Sequence, residues 1–252
     1  RSLGIGGITN MRTKKIKYIT VEEQFFESKE FLPQSLRNHI PRWFKDVETK
    51  YQQDNIVEQF IKRVPNVRSC PSFIEVFKDG IVLLAPTDIH ISTNEANDVW
   101  SWRTPIQYFT KENIETVAFH TDDQMRTFLP KNSKTKVVFK LNLPYLVDIP
   151  KNYRIRVMPV PYQYNDDFSV CQGILDAKNQ PQVNILFEYT SEKNEILIKQ
   201  GTPLAVHIPY EVEEFKIENH FYNQKKHQHL RFGNTLKNLG RFHNSFLRNQ
   251  KT

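Results

Sequence analysis

Few residues in this chain have the type and spacing to do chemistry. His120-Thr121-Asp122 has the His-x-Asp spacing of a facial iron triad, a site that needs a second histidine from elsewhere. His207 lies far downstream on an expected strand, and no arginine is placed to hold the carboxylate of an oxo-acid co-substrate. His120 therefore reads as a polar turn residue beside Asp122 and Asp123. His227-x-His229 could bind a metal, but no Cys or carboxylate lies near it in sequence, and a solvated basic tail accounts for the pair. Cys70 and Cys171 form no Cys-x-x-Cys. Cys70, just before Pro71 at an expected strand start, reads as a small buried residue. A nucleophilic thiol would need a base that the sequence does not locate. Glycine-rich phosphate loops, Gly-x-Ser-x-Gly and His-Glu-x-x-His are all missing. The expectation is a chain with no catalytic residue, no metal and no cofactor.

The elements that would position any site are legible as short apolar runs. Aromatics make up 12% of the 252 residues, with 18 Phe and 10 Tyr, which argues for a buried core rather than disorder. Two Cys exclude a disulfide framework, and no run of about 18 apolar residues marks a membrane span. Residues 31–63 read as helical or irregular, punctuated by Pro33 and Pro41. Trp43-Phe44 is expected to anchor them to the core. Val57, Phe60, Ile61 and Val64 fall at helical spacing after Asp54 or Asn55, either of which could cap a helix.

After Pro65 the pattern changes to strands: Phe73–Phe77, Ile81–Ala85, Lys136–Leu141, Tyr153–Met158, Val183–Phe187, Glu195–Ile198 and Pro203–Ile208. Pro, Gly and Asn turns separate them. Residues 92–135, with Trp100-Ser101-Trp102-Arg103, read as a long excursion from the sheet. The expected fold is mainly β, an antiparallel sandwich or barrel, with an N-terminal helical or irregular segment and a C-terminal amphipathic helix.

The formal charge of +7 is unevenly spread. The last acidic residue is Glu218, and Lys225, Lys226, Arg231, Lys237, Arg241, Arg248 and Lys251 follow it, so residues 1–218 are formally neutral. Phe232, Leu236, Leu239, Phe242 and Phe246 recur every three or four residues, which places them on one helical face. Gly233 and Gly240 each weaken that helix by about 1 kcal/mol. The segment has three readings: a helix docked on its own domain, an arm that binds a partner, or a phosphate-gripping arm whose aromatics stack on bases.

Three stretches stand in a telling order: Ile149-Pro150-Lys151-Asn152-Tyr153, Gly173-Ile174-Leu175-Asp176, and Ile198-Lys199-Gln200-Gly201-Thr202-Pro203-Leu204-Ala205. Across 144–210 the chain thereby resembles the β-clip fold of the dUTPase and dCTP-deaminase group. The resemblance implies that Asp176 would sit beside a deoxyribose and the catalytic water. The chain departs from that group at three places. Pro159-Val160-Pro161-Tyr162 replaces the Arg-Ser-Gly/Ser-Leu-Ala phosphate motif, Lys178-Asn179-Gln180-Pro181 replaces the Tyr-Arg-Gly, and the Gly-rich C-terminal motif is absent.

A longer match, over about 38–215, runs through Ile40-Pro41-Arg42-Trp43-Phe44-Lys45, Cys70-Pro71-Ser72-Phe73, Gly80, Pro86-Thr87-Asp88-Ile89, Gly173–Asp176, Gly201–Ala205 and Ile208-Pro209. There the chain resembles a family of proteins from tailed phages, particularly T4-like phages of marine bacteria. Members tend to carry Gln and Val where this chain has Val206 and His207, and the family has no established catalytic residues.

The resulting expectation divides the chain into a disordered or vector-derived start (1–10), an N-terminal mixed segment on the core (11–64), a β-rich core (65–218) and a basic C-terminal arm (219–252). The expected function is that of a non-enzymatic phage protein, a virion component or assembly factor in the virion or the host bacterial cytoplasm, with self-association or other phage proteins as partners. Two alternatives stand beside it. One is a β-clip nucleotide enzyme using Asp176. The other is a nucleic-acid-binding host-takeover protein using Lys225, Lys226, Arg231, Lys237, Arg241 and Arg248.

Overall fold

The structure, a computed structural model, describes residues 14–48, 50–54, 61–65, 68, 70–108, 114–120, 122–125, 127, 129–221 and 223. In chain order its elements are β1 (Lys17–Thr20), α1 (Glu23–Glu27), β2 (Gln34–Ser35), α2 (Arg42–Asp46), β3 (Lys50–Asp54), β4 (Ile61–Pro65), α3 (Pro71–Glu75), β5 (Ile81–Leu84), β6 (Ile89–Thr93), β7 (Trp100–Arg103), β8 (Val117–Phe119), α4 (Asp122–Met125), β9 (Val137–Asp148), β10 (Tyr153–Met158), β11 (Phe168–Val170), β12 (Gly173–Leu175), β13 (Gln182–Tyr189), β14 (Glu195–Ile198) and β15 (Pro203–Glu211). The fold is mainly β, every described pairing is antiparallel, and the sheets stay open rather than closing into a barrel.

One sheet runs β1-β9-β13-β11, with β8 also on β9; a second runs β12-β10-β15-β5-β2; a third runs β14-β6-β7; and β3 pairs with β4. β13 shows why alternation makes strands: Val183, Ile185, Phe187 and Tyr189 are buried while the residues between them are not. β9 is apolar almost throughout, yet Pro144 lies in it. On one edge of β9, β8 pairs with 139–141 and β1 with 145–148, leaving Pro144 between them. On the other edge the β13 register shifts between Gln182 and Asn184, opposite the same place. The missing N–H thus falls where the ladder is already interrupted, and the Pro144 carbonyl accepts from Val21 N at 3.0 Å.

The main core lies between the first two sheets and includes Leu83, Phe139, Leu141, Ile155, Val183, Phe187 and Ala205. The second sheet is also covered on its other face, where Val82, Leu84 and Val206 meet Leu36, Phe44, Phe77 and Val160. Because β5 and β15 face two apolar layers, they read as continuous apolar runs rather than alternating ones. Gly80 leads into β5 with φ +122°, and a Cβ there would stand 2.6 Å from Val206 Cγ1.

Three local expectations are overturned. Ile61–Pro65 is a strand paired with Lys50–Asp54, not a helix, because a cross-strand partner outweighs helical spacing in a segment holding β-branched Ile61 and Val64. Phe73–Phe77 is not a strand: Pro71 opens α3 at the position where its fixed φ suits a helix. Residues 92–135 are not a bare excursion, since Trp100–Arg103 pairs with β6 and Val117–Phe119 with β9. The hairpin is turned by Asn94, whose Oδ1 accepts from the N–H groups of Asp98 and Val99, and by Asn97 at φ 56°.

The chain divides into two units, one ending at Val212 and one beginning at Glu213. No helix among the described residues is long and apolar enough to cross a membrane.

Candidate functional site

Asp176 follows β12 and closes a turn. Its carbonyl accepts from the N–H groups of Asn179 (3.0 Å) and Gln180 (2.9 Å), and its Oδ2 accepts from Asn179 Nδ2 at 3.0 Å. Arg154 reaches the same oxygen from neighbouring β10, with Nε at 4.0 Å. Beside this turn is a cleft of about 230 Å³ whose lining includes Lys151, Arg154 and Lys178. Two of the lining residues are held by Glu211, which accepts hydrogen bonds from Asn152 Nδ2 and from Tyr153 Oη, the latter at 3.2 Å. Three lining cations against one lining carboxylate, Asp176, can attract an anion. No histidine or cysteine lines the cleft to act as a base or nucleophile.

A second constellation was not visible in sequence. The loop from Pro159 to Asp167 joins β10 to β11, and Tyr162 within it has φ 55°, a left-handed conformation rare for a bulky residue. Its ring stacks on Phe44 (6.1 Å between centroids, 2° between planes) and on Phe73 (5.3 Å, 18°). Trp43 stands edge-on to Tyr162 and lies 6.3 Å from Tyr164 at 36°. Of the expected anchor pair, Phe44 is buried while Trp43 is 47% exposed. The clue available in the sequence was the aromatic and proline density of Pro159-Val160-Pro161-Tyr162-Gln163-Tyr164.

The remaining candidates have structural surroundings. His207 is fully buried, with Nδ1 2.9 Å from Tyr18 Oη, a contact that joins β15 to β1 across the two sheets. Burial pushes its pKa down to about 3, so it is a neutral interior imidazole, and Nε2 has no partner. Tyr18 is likewise held protonated by burial. His120 directly follows β8, with its N–H bonded to Val138 O at 2.9 Å, while the Asp122 side chain lies outside the described residues. Cys70 is half-buried and precedes a helix, correcting the buried-strand reading. Burial, with the Glu188 carboxylate adding to it, pushes the Cys171 thiol up to about 11, which leaves it protonated and a poor nucleophile. Among the described residues no three His, Cys, Asp or Glu come together as a metal set.

The arm residues Lys225, Lys226, Arg231, Lys237, Arg241 and Arg248 lie outside the described residues, as do His227, His229 and the expected C-terminal helix. Just before them, Phe215, Ile217 and Phe221 are 84%, 84% and 97% exposed.

No family model matches the chain, and no curated protein matches it. Among solved structures it is similar to a mutant dUTPase from phage phi11 of S. aureus, at 9% identity over 58% of this chain and 85% of that one, with a TM-score of 0.30. A likeness this loose assigns no activity, and the reading of the site rests on its own geometry.

Proposed function

We propose that this is a phage-encoded protein that acts by protein–protein contact rather than catalysis, as a virion component or assembly factor, and that its first partner is a second copy of itself. The observation that carries the reading is the segment after β15. In Glu214-Phe215-Lys216-Ile217-Glu218 apolar and charged residues alternate as in a half-buried strand, yet Phe215, Ile217 and Phe221 stand in solvent. Burying each would contribute about 1.5–3 kcal/mol. The same chain offers receiving edges. β12 pairs on one side only, carries exposed Ile174, and borders a groove of about 130 Å³ that also includes Leu186. An unpaired strand-like segment and an open edge in one chain make a self-complementary pair.

Light scattering at micromolar concentration tests this. The full chain is expected to be oligomeric, and the triple variant Phe215→Ser, Ile217→Ser, Phe221→Ser monomeric. A monomeric full chain would sink the reading.

A second reading, a nucleotide enzyme, has the cationic cleft at Asp176 in its favour. Turnover of deoxynucleoside triphosphates, abolished by Asp176→Asn, would establish it. A third, nucleic-acid binding through Lys225, Lys226, Arg231, Lys237, Arg241 and Arg248, is supported by the charge of the tail. With those six and Lys251 all engaged, it predicts a log–log salt slope near −6 that vanishes when the chain ends at Glu218.

A further inference from the structure

We propose that Trp43 and Tyr164 form a carbohydrate-binding platform, with the adjoining cleft receiving the hydroxyl groups of one sugar ring. The starting observation is the left-handed backbone of Tyr162. Such strain persists only where the surroundings over-determine it, and it clusters at binding sites. Here the Tyr162 ring packs near-parallel to both Phe44 and Phe73. The loop is pinned further by Gln163 Nε2 donating to Pro203 O at 3.1 Å, and by Asn165 Oδ1 accepting from the N–H groups of Asp167 (2.8 Å) and Phe168 (3.3 Å). A loop fixed this firmly nevertheless places Tyr164 83% in solvent. Ordering the loop before binding removes an entropic cost that a flexible loop would incur at the moment of contact.

The chemistry of the site selects the ligand. Trp43 and Tyr164 are tilted by 36° with centroids 6.3 Å apart, so they offer two neighbouring, partly exposed ring faces rather than a slot between parallel walls. The C–H face of a pyranose is weakly positive and matches the negative face of such rings. The cleft beside Tyr164, about 240 Å³, offers an amide at Asn165, a carboxylate at Asp166 and a hydroxyl at Ser169 over an apolar floor that includes Val160 and Phe168. These are the donors and acceptors that sugar hydroxyls pair with, and the volume suits one ring rather than a drug-sized molecule. The lining of this cleft holds no Lys or Arg and one carboxylate, Asp166. A phosphate-bearing ligand would meet the Asp166 carboxylate in this cleft, and a neutral sugar does not incur that repulsion. This proposal and the reading of the segment after β15 rest on different residues, and neither depends on the other.

The test is a broad glycan array probed with the full chain, followed by saturation-transfer NMR on the best-bound glycan. At least one neutral glycan should bind. Tyr164→Ala and Trp43→Ala should each weaken it about tenfold or more, while Tyr164→Phe retains it and leaves the melting temperature unchanged. The triple variant of Phe215, Ile217 and Phe221 should still bind the same glycan. No binding across the array would overturn the proposal, as would binding that survives both alanine variants, or a decaproline peptide bound at these rings in place of any sugar.

Discussion

The turn at Asp176 and the loop at Tyr162 are connections off neighbouring strands of one sheet, yet they are built on opposite principles. At Asp176 the carbonyl and Oδ2 both have partners within the turn or on β10, so the carboxylate is tied to Asn179 and approached by Arg154. At Tyr162 the backbone is held in an unfavourable conformation and two large rings are left facing water. The residue that looks catalytic by type is doing what an aspartate does in a turn. The residues with unspent binding capacity are a tryptophan and a tyrosine, types more often read as core.

The contrast makes measurable demands. Phe44→Ala removes a buried ring from beneath Tyr162 and is expected to cost about 3–5 kcal/mol in urea unfolding, together with any ligand affinity at Trp43. A loss under about 1 kcal/mol would mean that the aromatic stack does not hold the loop. Next in size is Gly80→Ala. It forces φ +122° on an alanine and presses its Cβ against Val206 in the same apolar layer, for an expected loss of about 2–4 kcal/mol. An unchanged midpoint would show that layer to be soft.

The buried side of the sheet is sharpened by acid. Folded His207 stays neutral down to about pH 3, whereas the unfolded residue takes a proton near pH 6.5, so stability is complete above 6.5 and is lost as pH falls from there towards 3. The expected slope from this group is about 1 kcal/mol per pH unit, and His207→Gln should remove it from the urea-midpoint profile between pH 6.5 and 4.5. The smallest effect belongs to Asp176→Asn. Its contact with Arg154 is partly exposed and long, and a change of under about 1 kcal/mol is expected. A larger loss than that of Phe44→Ala would invert the comparison.

How much of this was legible in the sequence depended on the range of the interaction that decided it. β10 and β14 begin and end where their apolar runs do, because alternation against one buried face is a local signal. Phe73–Phe77 misled because four apolar residues around Glu75 fit either period, and Pro71 was the better guide. Ile61 and Val64 misled because their partner strand, β3, cannot be inferred from their own spacing. The Asp176 turn was recognisable by residue type. The platform was not, since it joins a helix near the N-terminus to a loop far downstream, and a positive φ at a tyrosine has no signature in sequence.

Pro144 has a mechanical consequence. It divides the outer edge of β9 into two separate berths, one for β8 and one for β1, so the two guests share no ladder. Pulled by its N-terminus in optical tweezers, the chain should yield in two stages: four ladder pairs and the Tyr18–His207 clasp first, then, at higher force, everything held by β13 and β8. β1 is in that sense a fuse, able to release the front of the protein while the rest of the sandwich stays closed.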